Sequence, residues 1–465
     1  MQLPIGYDNF SKIVEKNLNF VDKTLFIQEI LDDKAIEVLV FTRPRRFGKT
    51  LNLSMLQYFF AAHAYGRTTR GLFDGLKIAA LDSYMQHQGK YPVIFLTLKE
   101  VRDHGFSTAL EKLGELMRRT YREHSYVLEG NVLSSEEKVL YHAILAKQAN
   151  QTDLEASLYN LTEYLSRYTG QKTWVLIDEY DTPIQSAFLH GYFQEMVSLL
   201  RGLFGAVLKT NPYLEKAVIT GILRIAKENL FSGLNNVKVY TLLDSKYGEY
   251  FGFTEEEMKA LLIRANLTEQ ADAIRHWYNG YLAGNVVIYN PWSIANCMND
   301  NGALCPYWVN TSSNDLVKHL LARGDVALKK NLALLLADKP IEALIDENMV
   351  FGDVEKDNNA LWNLLLFSGY LKAVTCESFR SRMQCSLTPP NYEVKILYES
   401  IMQGWFLETL GYDNYKNFLE SLTQGDVTTF TSPLARLPTR YLQYFRCNGA
   451  SSRKILSRVC VGFDG

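Results

Sequence analysis

The chain has 465 residues, 47% of them hydrophobic and 22% charged, a balance that fits a globular protein of about two or three domains and excludes a disordered or fibrous one. Its 49 basic and 51 acidic residues leave a net charge of −2, which excludes a chain that coats nucleic acid over its whole surface while allowing a local basic patch. The opening MQLPIGYDNF has no basic stretch followed by an apolar one, so no secretory signal is expected. No apolar run reaches the roughly 18 residues that a membrane span needs. A cytoplasmic location follows as the expectation. The cysteines at 297, 305, 376, 385, 447 and 460 form no C-x-x-C and have no histidines at zinc spacing, so free thiols in a reducing compartment are expected.

In chain order, VDKTLFIQEIL (21–31) reads as an amphipathic helix capped by Asp22 or Thr24, with direct nucleotide contact as the other reading of those two residues. IEVLVFT (36–42), PVIFLTL (92–98), WVLID (174–178), KAVITG (216–221) and VKVYTL (237–242) read as strands, because continuous Val/Ile/Leu runs suit a parallel sheet buried on both faces. Helices are expected at 49–61, 107–123, 135–168 with a break, and 185–209. Strand–helix alternation of this kind predicts a doubly wound α/β domain with helices on both faces of a parallel sheet. Past residue 250 the strand runs thin out. TEEEMKALLIRA offers Thr254 and Glu257 as a capping box, and Asn290-Pro291 is a helix-starting signal. Residues 360–374 read as a helix, followed by a hairpin around Met383 to Tyr392, together a candidate winged-helix element. The expected division is 1–250, a helical lid-like region at 251–335, a helical region at 336–425, and a tail from 426.

FTRPRRFGKTLNL (41–53) ends as a phosphate-binding loop ends, in Gly48-Lys49-Thr50, but Arg43 stands where the G-x-x-x-x-G-K-[ST] pattern has its first glycine. Phosphate binds where backbone N–H groups converge at a helix N-terminus. Gly48 allows close approach, Lys49 can reach the β- and γ-phosphates, and the Thr50 hydroxyl can ligate Mg²⁺. A strand before and a helix after supply the required context, with Leu53, Leu56 and Phe60 on one helix face. WVLIDEYD then places Asp178 and Glu179 at a strand end. Asp178 suits Mg²⁺ and Glu179 suits a general base for water, unless the pair only caps the next helix. Asp181 reads as a turn residue ahead of Pro183. Arg45 and Arg46 can face phosphate, solvent or a neighbouring subunit, or form salt bridges. The aromatics of WYNGY (277–281) and IYNPWSI (288–294) read as core and turn residues, and no metal site beyond Mg²⁺ is expected.

LPIGYDNFSKIVEKNLNFVDKT, TRPRRFGKTLNLSML, LIDEYDTPI, TGILRIAKENLFSGLNN, YFGFTEEE, WYNGY with IYNPWSI, and FSGYL together resemble, in order, the bacterial AAA-ATPase-like domain family over residues 1 to about 425. In that family the loop itself reads R-P-R-R-F-G-K-[ST], so the resemblance makes residues Arg43, Pro44, Arg45, Arg46, Phe47, Gly48, Lys49 and Thr50 the nucleotide loop. It implies ATP and Mg²⁺ as cofactors, with Thr50 and Asp178 on the metal. It also implies that Thr220 contacts the γ-phosphate or the water and that Arg224 stabilises transition-state charge; the alternative is a plain strand end and a surface salt bridge. The family architecture continues into a nuclease-like domain of the PD-(D/E)XK superfamily.

The end of the chain departs from that pattern. An encoding of SRKILSRVCVGFDG (452–465), read with its first base dropped, gives P-E-K-F-Y-H-G-F-V-L-G-L-M, which is the family's continuation. A frameshift between about 430 and 452 is therefore expected, with residues 426–465 out of frame and poorly ordered. No nuclease activity is expected, because residues after 400 show no D…E-x-K arrangement. Three functional readings remain: a Mg²⁺-dependent ATPase, a nucleotide-gated scaffold that does not hydrolyse, or a non-functional remnant of a longer ATPase–nuclease. A DNA or protein partner and oligomers are compatible with all three, a membrane with none.

Overall fold

The computed structural model describes residues 2–224, 230–231, 234–311, 317, 320–321, 325–347, 357–380 and 382–410, and the observations below concern these. The expected out-of-frame tail lies outside them. The chain forms two compact units. One comprises Met1–Ala271, Leu282–Ala303 and Glu347–Gly352, and the other Asp272–Tyr281, Leu304–Asp346 and Asp353–Gly465.

The first unit is built on five strands: β1 (Val38–Thr42), β2 (Val93–Thr97), β3 (Thr173–Asp178), β4 (Leu214–Gly221) and β5 (Val237–Tyr240). They form one parallel sheet in the order β2-β3-β4-β1-β5. Successive residues of a strand serve opposite faces, and two cores divide them accordingly. Val38, Val40, Ile94, Leu96, Val175, Ile177, Ala217 and Ile219 enter one core, whereas Leu39, Phe41, Val93, Trp174, Leu176 and Val218 enter the other.

Helices cover both faces. On one lie α1 (Phe10–Glu15), α2 (Leu25–Asp32) and α3 (Lys49–Phe60); on the other lie α4 (Phe106–Glu123), α5 (Ser135–Leu145), α6 (Gln151–Thr169), α7 (Thr182–His190) and α8 (Phe193–Leu208). The expected break in 135–168 falls at Asn150, whose side chain caps α6 reciprocally with Asp153. A second break splits 185–209, where Gly191 takes φ 82° and ends α7; glycine adopts that left-handed turn without the steric cost of a Cβ.

Asp22 and Thr24 do not cap α2 through its amides. Asp22 instead accepts the Thr24 N–H and hydroxyl at 2.8 and 2.7 Å and the Lys77 N–H at 2.8 Å, while Thr24 Oγ1 accepts the Ile78 N–H at 3.1 Å. The cap-like spelling thus serves a contact with a segment more than fifty residues away, which local patterning cannot reveal. The Thr254–Glu257 capping box forms as read, opening α9 (Glu255–Ala265). Asn290 starts α10 (Pro291–Asn299) by accepting the N–H groups of Trp292 and Ser293. The expected helical stretch also contains short strands, with Phe253–Thr254 paired antiparallel to Val286–Tyr289.

The second unit contains α11 (Val326–Leu336), β6 (Ile341–Ile345), α12 (Asn358–Phe367), β7 (Lys372–Phe379), β8 (Arg382–Thr388) and α13 (Tyr392–Leu410). Its strands form an antiparallel sheet in the order β6-β8-β7. The hairpin turns at Arg380, φ 57°, ahead of the expected 383–392, because Gly369 at φ 86° follows the earlier end of α12. Tyr392 therefore opens a helix and does not close a hairpin. That shift also corrects the thiol expectation. Cys376 and Cys385 sit directly opposite each other on β7 and β8, with Cα atoms 4.2 Å apart, and form a disulfide. Opposed positions of an antiparallel pair bring Cβ atoms within bridging reach. Cys297 is a buried free thiol and Cys305 an exposed one; Cys447 and Cys460 lie outside the described residues.

Two core residues make stability predictions. Trp174 is 1% exposed and stacks on Phe60 at 3.8 Å, at the opposite end of β3 from Asp178. Trp174→Ala is expected to cost about 3–5 kcal/mol, measured as a lowered denaturation midpoint; an unchanged midpoint would contradict the packing described. Burial of His124, just after α4, pushes its imidazole from 6.5 down to about 4. A folded-state value below the unfolded one means that unfolding takes up a proton in this window. The stability contribution is therefore complete above pH ~6.5 and lost as pH falls toward 4, by on the order of 3 kcal/mol. Relative to His124→Leu, the wild type should lose stability across that range; a difference independent of pH would contradict the assignment.

Candidate functional site

The C-terminal ends of β1, β3 and β4 lie side by side, because β4 runs between the other two. The register pairs Phe41 with Thr220 and Thr42 with Gly221 on one side of β4, and Ile177 with Ile219 on the other. The loop after β1 therefore opens beside Thr220, and Asp178 ends the strand just beyond it.

Within the loop, the left-handed residues are Arg46 at φ 67° and Gly48 at φ 80°. Position 43 is not among them, which explains in backbone terms why an arginine can occupy the first glycine's place. The Arg43 side chain turns into the body of the protein. It is fully buried, donates through Nη1 to the carbonyls of Thr42 and Tyr240 at 2.9 and 3.0 Å, and lies over the Phe251 ring at 5.3 Å. Burial lowers its guanidinium pKa to about 10; Nε and Nη2 have no hydrogen-bond partner. Pro44 and Phe47 are buried as well. These three side chains pack the loop against the body of the protein.

The two remaining loop arginines differ. Arg45 is half-buried and Arg46 exposed. The Arg46 guanidinium lies 4.2 Å from the centre of the Trp292 ring, at the start of α10. Sequence reading placed Trp292 in the core or a turn, and nothing in the spacing of 46 and 292 points to this stack.

Gly48 occupies the N-cap of α3, and its carbonyl accepts the Asn52 N–H at 2.9 Å. The first turn of α3 carries Lys49 and Thr50. Lys49 is only 7% exposed, and its ammonium donates to the carbonyls of Arg43 and Pro44 at 2.9 and 2.8 Å. Burial lowers its pKa, while the charges of Glu179, Asp178 and Asp181 raise it. This buried ammonium thus bridges its own loop and faces three carboxylates electrostatically.

Thr50 donates through Oγ1 to Asp178 Oδ2 at 2.6 Å, and Thr220 donates through Oγ1 to Asp178 Oδ1 at 2.5 Å. Asp178 is 1% exposed. Burial raises its carboxyl pKa, the two threonine hydroxyls lower it, the Glu179 charge raises it and the Lys49 charge lowers it. Glu179 follows in a left-handed conformation at φ 53° and accepts from Thr182 Oγ1 at 3.3 Å. Thr50 and Thr220 therefore meet on the Asp178 carboxylate, with Glu179 adjoining and Lys49 acting on it through its charge. Arg224 is engaged elsewhere, donating to Glu347 Oε2 at 2.8 Å.

A buried carboxylate flanked by hydroxyl oxygens is a hard-oxygen donor set, which fits Mg²⁺ better than a softer metal. Thr50 and Asp178 are the residues that would hold it. Among the described residues, no group of three or more His, Cys, Asp and Glu side chains forms a separate metal cluster, and no helix is long and apolar enough to cross a membrane.

Two residues to which the sequence assigns no role at the site complete this region. Asp181 is fully buried, and its Oδ2 accepts the N–H groups of Ile222 and Leu223 at 3.1 and 2.8 Å. Tyr180 donates through its hydroxyl to the Leu223 carbonyl at 2.6 Å. The available signal was the second aspartate of DEYD, Asp181, which reads as a turn residue ahead of Pro183.

Two comparisons with known proteins bear on the chain. The chain is 26% identical over 445 residues to the "Uncharacterized protein in vnfD 5'region" of Azotobacter chroococcum mcd 1, across 94% of this chain and 78% of that protein. Residues 4–231 match the family described as AAA-ATPase_like, Predicted AAA-ATPase. That span runs from before α1 through the loop, β3, β4 and the segment holding Arg224, and over it the chain is similar to the AAA-ATPase-like family.

Proposed function

We propose that the first unit binds ATP with Mg²⁺ and hydrolyses it. The observation that carries this reading is the meeting of Thr50 and Thr220 on the Asp178 carboxylate at the ends of β1, β3 and β4, with the Lys49 ammonium held in the adjoining loop. The loop amides and the start of α3 cradle the phosphates, since N–H groups at a helix N-terminus favour anions. Lys49 exchanges its two carbonyl acceptors for phosphate oxygens. Thr50 and Asp178 would hold Mg²⁺, which would supply charge neutralisation for the transfer.

In the hydrolytic step Glu179 takes a proton from the attacking water as its oxygen bonds to the γ-phosphorus. The bond from that phosphorus to the β–γ bridging oxygen breaks, and ADP leaves with the bond's electron pair. Thr220 sits one hydrogen bond from Asp178 and touches the γ-phosphate or the water. Arg224 reaches the developing charge only after leaving Glu347. By resemblance, nucleotide turnover would govern a nuclease-like domain in longer family members, with DNA or a protein as a further partner.

Phosphate release by the purified chain, with and without Mg²⁺ and with and without DNA, tests the reading. Mg²⁺-dependent release is expected. Stoichiometric binding without release would favour a nucleotide-gated scaffold, and absence of both would overturn the proposal.

A further inference from the structure

The exits of β3 and β4 are laced together more tightly than either strand requires. Besides the Thr220–Asp178 bond, the Tyr180 N–H donates to the Thr220 carbonyl at 3.1 Å. The Tyr180 hydroxyl reaches the Leu223 carbonyl at 2.6 Å, and Asp181 Oδ2 holds the Ile222 and Leu223 N–H groups. Asp181 stands at the N-cap of α7 yet makes no side-chain cap bond there; Gln185 Nε2 is its helix contact, at 2.7 Å. Its carboxylate thus serves the neighbouring strand exit. Gly221 makes the fit possible, because a Cβ there would lie 2.5 Å from the Tyr180 ring and 2.6 Å from Asp181 Oδ1. Glu179 lies between the two anchored residues Asp178 and Tyr180, in a left-handed conformation that a glutamate rarely adopts. Strained backbone of this kind persists where its surroundings over-determine it.

We propose that Tyr180 and Asp181 are positioning residues that lock Glu179 and Thr220 into one rigid unit, so that nucleotide turnover depends on them while nucleotide binding does not. The inference rests on Glu179 acting on the attacking water. Neither side chain touches the nucleotide; both act through the placement of the groups that do. Binding rests on the loop and α3; the Asp181 charge acts on Lys49 there, so the affinity control is read on Tyr180→Phe, which changes no charge, whereas small misplacement of a catalytic group is costly to rate.

The test measures ATP affinity by calorimetry and kcat by phosphate release for the wild type, Glu179→Gln, Tyr180→Phe, Asp181→Asn and Asp181→Ala. Tyr180→Phe keeps the ring and removes only its donor. Asp181→Asn keeps an oxygen acceptor for the two N–H groups, so a thermal melt near the wild type's is expected for both. The expected result is a kcat lowered by about 10- to 100-fold in Tyr180→Phe with affinity unchanged within about twofold. Asp181→Asn should retain more turnover than Asp181→Ala. Wild-type rates in Tyr180→Phe and Asp181→Asn, alongside an inactive Glu179→Gln, would overturn this inference and leave the ATPase reading standing. Parallel loss of affinity and rate would reduce the two residues to a structural role and overturn it too. A wild type that releases no phosphate would overturn the ATPase reading and this inference with it.

Discussion

Glu179→Gln is expected to lower ATP turnover by about 10²- to 10⁴-fold, the range that a general base contributes, while leaving ATP affinity within about twofold. The substitution is isosteric. The amide oxygen can still accept from Thr182 Oγ1, and the left-handed backbone at φ 53° is equally available to glutamine. What is lost is the capacity to accept the proton of the attacking water. One negative charge beside Asp178 is also lost; that charge raises the Asp178 carboxyl, so its removal eases ionisation of the metal-holding group. Metal and nucleotide binding should therefore be preserved or slightly improved. Single-turnover phosphate release is the measurement, with calorimetry as the control. Turnover within a few fold of wild type would show that the water is activated by another group.

Lys49→Ala is expected to weaken ATP binding by about 100-fold or more, which corresponds to roughly 3 kcal/mol. Two effects combine. The ammonium that would meet the β- and γ-phosphates is gone, and a charge-assisted hydrogen bond contributes more than a neutral one. The carboxylates of Asp178, Glu179 and Asp181, whose charges act on Lys49, also lose a buried counter-charge. The carbonyls of Arg43 and Pro44 lose their donor too, so loop integrity needs its own readout. Lys49→Arg keeps the positive charge and should bind better than Lys49→Ala. Equal affinities of wild type and Lys49→Ala would remove the loop from any nucleotide site.

Much of this was legible in the sequence because it depends on local chain order. Gly48-Lys49-Thr50 between an apolar run and an apolar helix can take few forms other than a strand–loop–helix. An apolar run ended by Asp178 and Glu179 marks a strand tip. Sheet order then brings the tips together, and the Thr220 hydroxyl lands on Asp178 because β4 lies between β1 and β3. Other features depended on contacts distant in sequence. Arg43 looked like a loop residue for phosphate, yet its guanidinium is committed to the Tyr240 carbonyl. Arg46 was left open among several partners and stacks on Trp292. Asp22 and Thr24 carried the composition of a helix cap and spent it on the 77–78 backbone. The Cys376–Cys385 bridge depends on the pairing of β7 with β8, which the motif spacing behind the free-thiol expectation does not encode.

We propose the loop starting at Arg43 as a nucleotide site without its first glycine. The most direct measurement is a calorimetric titration of the purified chain with ATP, in the presence and absence of Mg²⁺, beside Lys49→Ala. Saturable binding at one site per chain, strengthened by Mg²⁺ and lost in Lys49→Ala, is the predicted result. No binding by the wild type, or binding that Lys49→Ala leaves unchanged, would contradict it.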